Sequence, residues 1–281
     1  MIKTARNILI LSMMGICMIA CSSDDTESET AYNKISAPTV NGKRLVKIKH
    51  GEEFTSLEYN PQGQVAKVKY HSKDGTTREE SYWYEDRRVI RSPYELIYNL
   101  SNGHAVECNF TALTSLDEDA MTVEGHESYL YDTNGRLVKA TKAPYDFSED
   151  DPINPIYTYT WRDGNISSVL VSVSSGDMEP NEEYNIRYTS VENNIPLFFV
   201  YYYSNNVYLE WQGCFGRRCK NLPQSVTYIN LTMDPSWEWG VRSVTDTFNY
   251  TLEDGMVTKI AVESIDDKGN SGQDVYELEW W

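Results

Sequence analysis

Positive charge is scarce in this chain. Against 42 Asp and Glu there are 25 Lys and Arg, a formal net charge of −17 over 281 residues. Proteins hold phosphate backbones by neutralising them with Lys and Arg, so nucleic acid is excluded as a partner. An anionic bilayer gripped through a basic patch is excluded for the same reason. The acidity by itself serves solubility. Histidine is rare too: His50, His71, His104 and His126 are the full set. None has a partner four residues on, and no His-Glu-x-x-His pattern is present. A Gly-x-Ser-x-Gly elbow and a phosphate-binding Gly loop are also missing. Helical periodicity is almost absent after the first twenty residues. Carboxylates, in contrast, are too numerous for a catalytic pair to stand out. These absences leave no catalytic residue, metal or cofactor to name, and they favour a non-catalytic protein.

Aromatic residues are plentiful, with 21 Tyr and seven Trp. That enrichment suits strands better than helices. The N-terminus is different in kind. Residues 1–20 read as a secretory signal: Lys3 and Arg6, then an apolar run from Ile8 to Ile19. The run is too short for a membrane span. It ends in Met18-Ile19-Ala20-Cys21, which resembles the bacterial lipobox, with Met18 where Leu is commoner. The resemblance implies a lipid on Cys21, and the acyl chains of such an anchor make release from the membrane negligible. Ser22-Ser23-Asp24-Asp25 is similar to the surface-export signal of Bacteroidetes lipoproteins. Residues 21–40 then read as an acidic, disordered tether, and residues 41–281 as a single antiparallel β domain.

One unit recurs through that domain. Tyr129-Leu130-Tyr131-Asp132-Thr133-Asn134-Gly135-Arg136-Leu137 reads as strand, tight turn, strand. Related copies turn at Gly63, Gly164 and Gly255. Two residues past each Gly stand Val65, Leu137, Ile166 and Val257; five past stand Val68, Ala140, Val169 and Ile260. In a regular strand these offsets lie on opposite faces. A bulge after the turn would bring them to one face, and that is the expected arrangement. The spacing between copies is irregular, so no solenoid or propeller is expected. The predicted fold is all-β: a large curved antiparallel meander, or a soluble barrel-like sheet, built from repeated hairpins. Leu197 to Tyr203 reads as a strand covered on both faces.

The lipobox with its Ser-Asp tail, the Tyr-x-Tyr-Asp-x-x-Gly-x-Leu hairpins, and Gly213-Cys214-Phe215-Gly216 running into Asn221-Leu222-Pro223 together carry a resemblance. The chain resembles a family of secreted Bacteroides-type lipoproteins of unknown function, described as having a porin-like β fold. The resemblance implies a curved, lipid-anchored antiparallel sheet and brings no catalytic residues. A true membrane barrel is not expected. The last strand places Tyr276, Leu278 and Trp280 on one face and Glu277 and Glu279 on the other, and two Glu break the apolar register a lipid-facing strand needs.

Candidate sites lie where the repeat breaks. Cys214 and Cys219 either form a disulfide closing a small loop or stay as two reduced thiols; Cys108 is left over as a buried thiol. Asp117-Glu118-Asp119 and Glu149-Asp150-Asp151 lack the spaced pattern of a calcium loop and read as solvated loops. Trp211, Trp237, Trp239, Tyr201 and Tyr203 are the candidate ligand-binding residues. Exposed beside carboxylates they stack on sugar rings; otherwise they are the sheet's own packed face. The function expected is that of a surface-anchored lipoprotein at the outer membrane that binds an extracellular ligand such as a glycan. The alternatives are a structural protein holding a protein partner, and a hydrolase of an extracellular polymer.

Overall fold

The computed structural model describes residues 35–93, 95–113, 122–142, 154–172, 180–198, 200, 206–232 and 240–281. The chain forms sixteen strands that close into a barrel. The first eight are β1 (Leu45–His50), β2 (Glu53–Tyr59), β3 (Val65–His71), β4 (Thr77–Glu85), β5 (Arg88–Ser92), β6 (Leu96–Ser101), β7 (His104–Leu113) and β8 (Thr122–Tyr131). Then come β9 (Leu137–Thr141), β10 (Ile156–Arg162), β11 (Asn165–Ser172), β12 (Glu182–Glu192), β13 (Asn221–Asn230), β14 (Ser243–Glu253), β15 (Met256–Asp266) and β16 (Ser271–Trp280). Each strand pairs antiparallel with its sequence neighbours, and β1 closes the circle on β16. The meander therefore has two ends. Turns leaving even-numbered strands gather at one end, and turns leaving odd-numbered strands at the other.

Two of the even-strand turns, β8–β9 and β2–β3, follow one local rule. Asp132 Oδ1 accepts from the backbone N–H of Asn134 (2.9 Å) and Arg136 (3.0 Å), and Gly135 takes the positive φ (+70°) that the turn needs. Asn60 does the same for Gln62 and Gln64. The register shifts by one immediately after these turns. Leu130 faces Lys139 while Tyr131 faces Leu137, leaving Val138 as the extra residue. Equivalent shifts occur at Glu58/Tyr59, Asn99/Leu100, Thr160/Trp161 and Thr251/Leu252. The bulge rotates the strand, so residues two and five past the Gly all face the lumen. Val65, Val68, Leu137, Ala140, Ile166, Val169, Val257 and Ile260 are all buried. The expected bulge is present, and it is what makes a 2-and-5 spacing compatible with one apolar face.

A ring of aromatic donors ties these hairpins side by side. Near the end of an even strand, a Tyr or Trp donates to a backbone carbonyl at the start of the preceding odd strand. Tyr84 reaches Val65 (2.8 Å), Tyr131 reaches Ala105 (2.6 Å), Trp161 reaches Leu137 (2.7 Å) and Tyr188 reaches Ile166 (2.8 Å). Tyr250 to Pro223 (2.7 Å), Trp280 to Val257 (2.8 Å) and Tyr59 to Leu45 continue the series. Strand β6 has Leu100 in this place. The recurring Tyr before the turn is thus a strap, needed because the bulge interrupts the ladder beside it.

Sixteen strands enclose a wide lumen, and the chain fills one half of it with itself. Between β12 and β13 it turns inward. Ile195, Leu197 and Val200 are buried there, and a short helix α1 (Val207–Trp211) carries the buried Tyr208, Leu209, Glu210 and Trp211. Asn206 Oδ1 caps the helix by accepting from Leu209 N (3.0 Å). Gln212 joins this plug to the wall: its Oε1 accepts from Val65 N (2.7 Å) and its Nε2 donates to Tyr208 O (3.0 Å). Cys214 O accepts from Ala105 N (2.8 Å) and Gly135 O from Arg217 N (2.8 Å). The plug is therefore fastened to the even-strand turns.

Two expectations are corrected here. Leu197 to Tyr203 is no strand where described: Leu197 and Val200 are covered on all sides because the segment enters the lumen instead of pairing. Tyr208 to Trp211 forms a helix for the same reason. The tether also ends earlier than residue 40. Ile35 and Ala37 are buried in the core, with Ser36 N donating to Gln212 O (3.3 Å) and Ala37 N to Gly63 O (3.1 Å). The signal, Cys21 and the start of the tether lie outside the described residues.

Candidate functional site

The barrel wall separates two chemistries by the period of two. Many outward positions are polar and ionic, with Trp83, Leu130 and Val275 as exposed apolar exceptions. Lys67 pairs with Glu79 (2.8 Å), Lys69 with Glu58 (2.6 Å), and Lys47 and Lys49 with Glu279. Tyr276, Leu278 and Trp280 face the lumen as expected, with Glu277 and Glu279 on the exposed wall. Inward positions of several even strands repeat a second pattern, an acid followed by aromatics: Glu80-x-Tyr82-x-Tyr84, Glu127-x-Tyr129-x-Tyr131 and Asp246-x-Phe248-x-Tyr250. Glu182-x-Tyr184-x-Ile186-x-Tyr188 and Asp274-x-Tyr276-x-Leu278-x-Trp280 are versions longer by one inward residue. The acid always lies on the side away from the aromatic strap, toward the odd-strand turns.

Around β4 to β9 these acids are sealed in. Glu80 is 3% exposed and is held by Arg91 through two bonds, Nη2 to Oε1 (2.7 Å) and Nε to Oε2 (3.1 Å), with the Tyr82 hydroxyl donating to Oε2 (2.9 Å). Glu127, 1% exposed, faces the buried Lys142 (3.4 Å) and accepts from Tyr129. The Lys142 ammonium also lies 5.5 Å from the Tyr129 ring centroid. Cys108 sits beside this cluster, and burial pushes its thiol up to about 12. Glu127 belongs to an interior strand paired on both sides.

Around β12 to β16 the same depth is hollow. A lumenal cavity of about 400 Å³ opens there. Its floor includes Val200 of the plug, with Val226, Phe248 and Val262. Its walls carry Tyr184, Tyr228 and Tyr276 and the carboxylates Glu182, Asp246 and Asp274. The Tyr184 and Tyr228 rings lie 5.2 Å apart, tilted by 51°. Burial, and then the Glu182 charge, raise the Tyr228 phenol above its ordinary range. Asp246 accepts from Ser264 (2.6 Å), Glu182 from Tyr184 (3.2 Å), and Asp274 lies 2.8 Å from His50 Nε2. His50 stacks on Tyr276 at 4.6 Å. Beyond Tyr276 and Phe198 a smaller pocket of about 250 Å³ continues toward Tyr70, His71 and Tyr208.

No protein-family model matches this chain, and no curated protein matches it in sequence. Solved structures do. The fold is shared with a porin-like protein from Bacteroides uniformis. The TM-score is 0.59 at 16% identity, over 88% of this chain and all of that one. A porin-like protein from Bacteroides vulgatus aligns at a TM-score of 0.53 and 15% identity, over 84% of this chain and 97% of that one. At such identities the likeness is one of fold: an all-β antiparallel barrel.

The sequence-predicted site residues fare differently. Trp211 is no exposed platform. It is 2% exposed, and its indole N–H donates to Asn194 O (3.1 Å) inside the plug. Trp237, Trp239, Tyr201 and Tyr203 lie outside the described residues, as do the acidic runs near Asp117 and Asp150. Cys214 and Cys219 are not joined in a disulfide, and both are fully buried. They face different parts of the wall. Cys214 is in the turn after α1, with its thiol raised to about 12 by burial. Cys219 Sγ accepts from Ile166 N (3.4 Å) and lies 3.3 Å from the Tyr188 hydroxyl. Sequence reading missed Glu182, Asp246 and Asp274. Their signal was an acid occupying an inward position in a strand whose other inward residues are apolar or aromatic.

Proposed function

We propose that the protein is a lipid-anchored barrel standing in water at the outer membrane, whose open half binds an extracellular glycan without catalysing a reaction on it. The observation that carries this reading is the cavity of about 400 Å³, where Tyr184, Tyr228 and Tyr276 share one wall system with three carboxylates. Aromatic faces stack on the C–H faces of sugars while carboxylates accept from hydroxyls, and concave sites of a few hundred Å³ are the usual scale for small ligands. The ionic outer wall supports immersion in water, since each Lys or Arg facing hydrocarbon costs about 2–4 kcal/mol at the bilayer midplane. Met18-Ile19-Ala20-Cys21 supplies the anchor.

Titrating the purified protein with a panel of plant, host and microbial oligosaccharides tests the ligand. At least one is expected to bind, and Tyr228→Ala is expected to abolish that binding. Silence across the whole panel would remove the glycan reading. For the anchor, Cys21→Ala should shift the protein from membrane to soluble fractions; unchanged fractionation would contradict it.

A further inference from the structure

The repeat allows a comparison within one molecule. Five even strands place an acid inward, on the odd-turn side of their aromatics: Glu80, Glu127 and Asp246 four residues before the strap, Glu182 and Asp274 six. Two of them sit against a cation supplied by the next stretch of chain. Arg91 comes from β5, beside β4, and Lys142 stands immediately after β9, directly beyond the Thr141–Ser128 pair. Both cations are largely buried, with side chains 12% and 6% exposed. A carboxylate taken out of water needs such a partner, because an unpaired buried charge costs several kcal/mol.

Of the other three, Glu182 and Asp246 have no such partner, and Asp274, half exposed, pairs with His50 of β1 (2.8 Å), which is a cation only when protonated. Where the next strand would place a cation, Asp246 meets Ser264 on β15 and Asp274 meets His50 on β1. Glu182 meets the phenols of Tyr184 and Tyr228. Among the described residues no Lys or Arg forms an ion pair with any of the three, and none lines the cavity. On this side the lining sets no Lys or Arg against the acids, and a cavity walled by aromatic rings lies beside them. Aromatic faces attract cations as well as sugars.

We infer that the cavity selects a glycan bearing a protonated amine, an amino sugar unit whose ammonium takes the place that Arg91 and Lys142 occupy elsewhere in the barrel. This rests on the glycan reading above and narrows it. Acidic sugars are repelled by the three carboxylates. Neutral sugars stack on the tyrosines but leave the acids unpaired once water is displaced.

The decisive measurement is isothermal titration of the purified protein with oligosaccharides of equal length made of glucosamine, N-acetylglucosamine, glucose or glucuronic acid. The glucosamine form is expected to bind tighter than the acetylated form by about tenfold or more, the scale of one charge-assisted hydrogen bond. The preference should shrink as salt rises. Ser264→Arg supplies an internal cation next to Asp246. It should weaken binding of the glucosamine form more than that of the N-acetylglucosamine form, while the melting temperature holds. Equal or tighter binding of the acetylated form overturns the inference and leaves the glycan reading standing. Binding by other sugars of the wider panel, with none by glucosamine, has the same effect. Absence of binding by any sugar overturns both.

Discussion

The two halves of this barrel are built from the same strands and put to opposite uses. Toward the even-strand turns, the bulges, the aromatic straps and the inward-turning segment around α1 leave a packed interior. Toward the odd-strand turns, the same strands continue past the plug. There they diverge around the circumference, with acids paired to Arg91 and Lys142 on one side and a cavity on the other. Repetition therefore marks the scaffold, and departure from it marks the place where a ligand fits. Substitutions should separate the halves: stability falls in the first, binding in the second.

The largest effect is expected from Trp211→Ala. It empties a fully packed position in the plug and should lower unfolding free energy by about 3–5 kcal/mol, read by denaturant titration. Cys214 should become reactive to alkylating reagents in the same variant, whereas burial keeps it inert in the native protein. A loss below about 1 kcal/mol would mean that plug and wall are not one cooperative unit.

Gly216→Ala comes next. A Cβ there would lie 2.5 Å from Gly135 O and 2.9 Å from the Tyr131 ring, at a φ of +82°. Overpacking of this kind costs about 1–3 kcal/mol, visible as a lower melting temperature. An unchanged melting temperature would show that the plug does not press on the turn.

Tyr131→Phe removes only the strap hydroxyl and should cost about 1 kcal/mol. Phe at Tyr84 or Tyr188 should cost a similar amount if the ring of straps is a true repeat. In the open half, Asp246→Asn should change stability by no more than about 0.5 kcal/mol while weakening ligand binding. A large stability loss there would place Asp246 with the scaffold and blur the contrast between halves.

What the sequence disclosed follows the same division. Turn chemistry is local, so Asp132, Gly135 and the bulge beyond them are legible from neighbouring residues. The plug is not, because its burial comes from entering a lumen that only sixteen paired strands create. Leu197 and Val200 look like a buried strand, and Trp211 beside Glu210 looks like an exposed platform, until the wall around them is known. The spacing of Cys214 and Cys219 leaves a short-loop disulfide and two reduced thiols equally open, and only the wall shows that each thiol has its own niche. The cavity acids hid among 42 carboxylates. Only the inward register of their strands, set by bulges far down the same hairpins, distinguishes Asp246 from the solvated acids around it.

The docking of Ile35 and Ala37 against Gln212 and Gly63 has a consequence for bearing. The leash enters the barrel at its sealed base. Ser22 to Ile35 is fourteen residues, a length that reaches roughly 50 Å at most, at about 3.5 Å per residue. With the lipid proposed on Cys21, the barrel would be moored by its floor. The cavity lies toward the opposite end of the barrel from that mooring, like a cup on a stem.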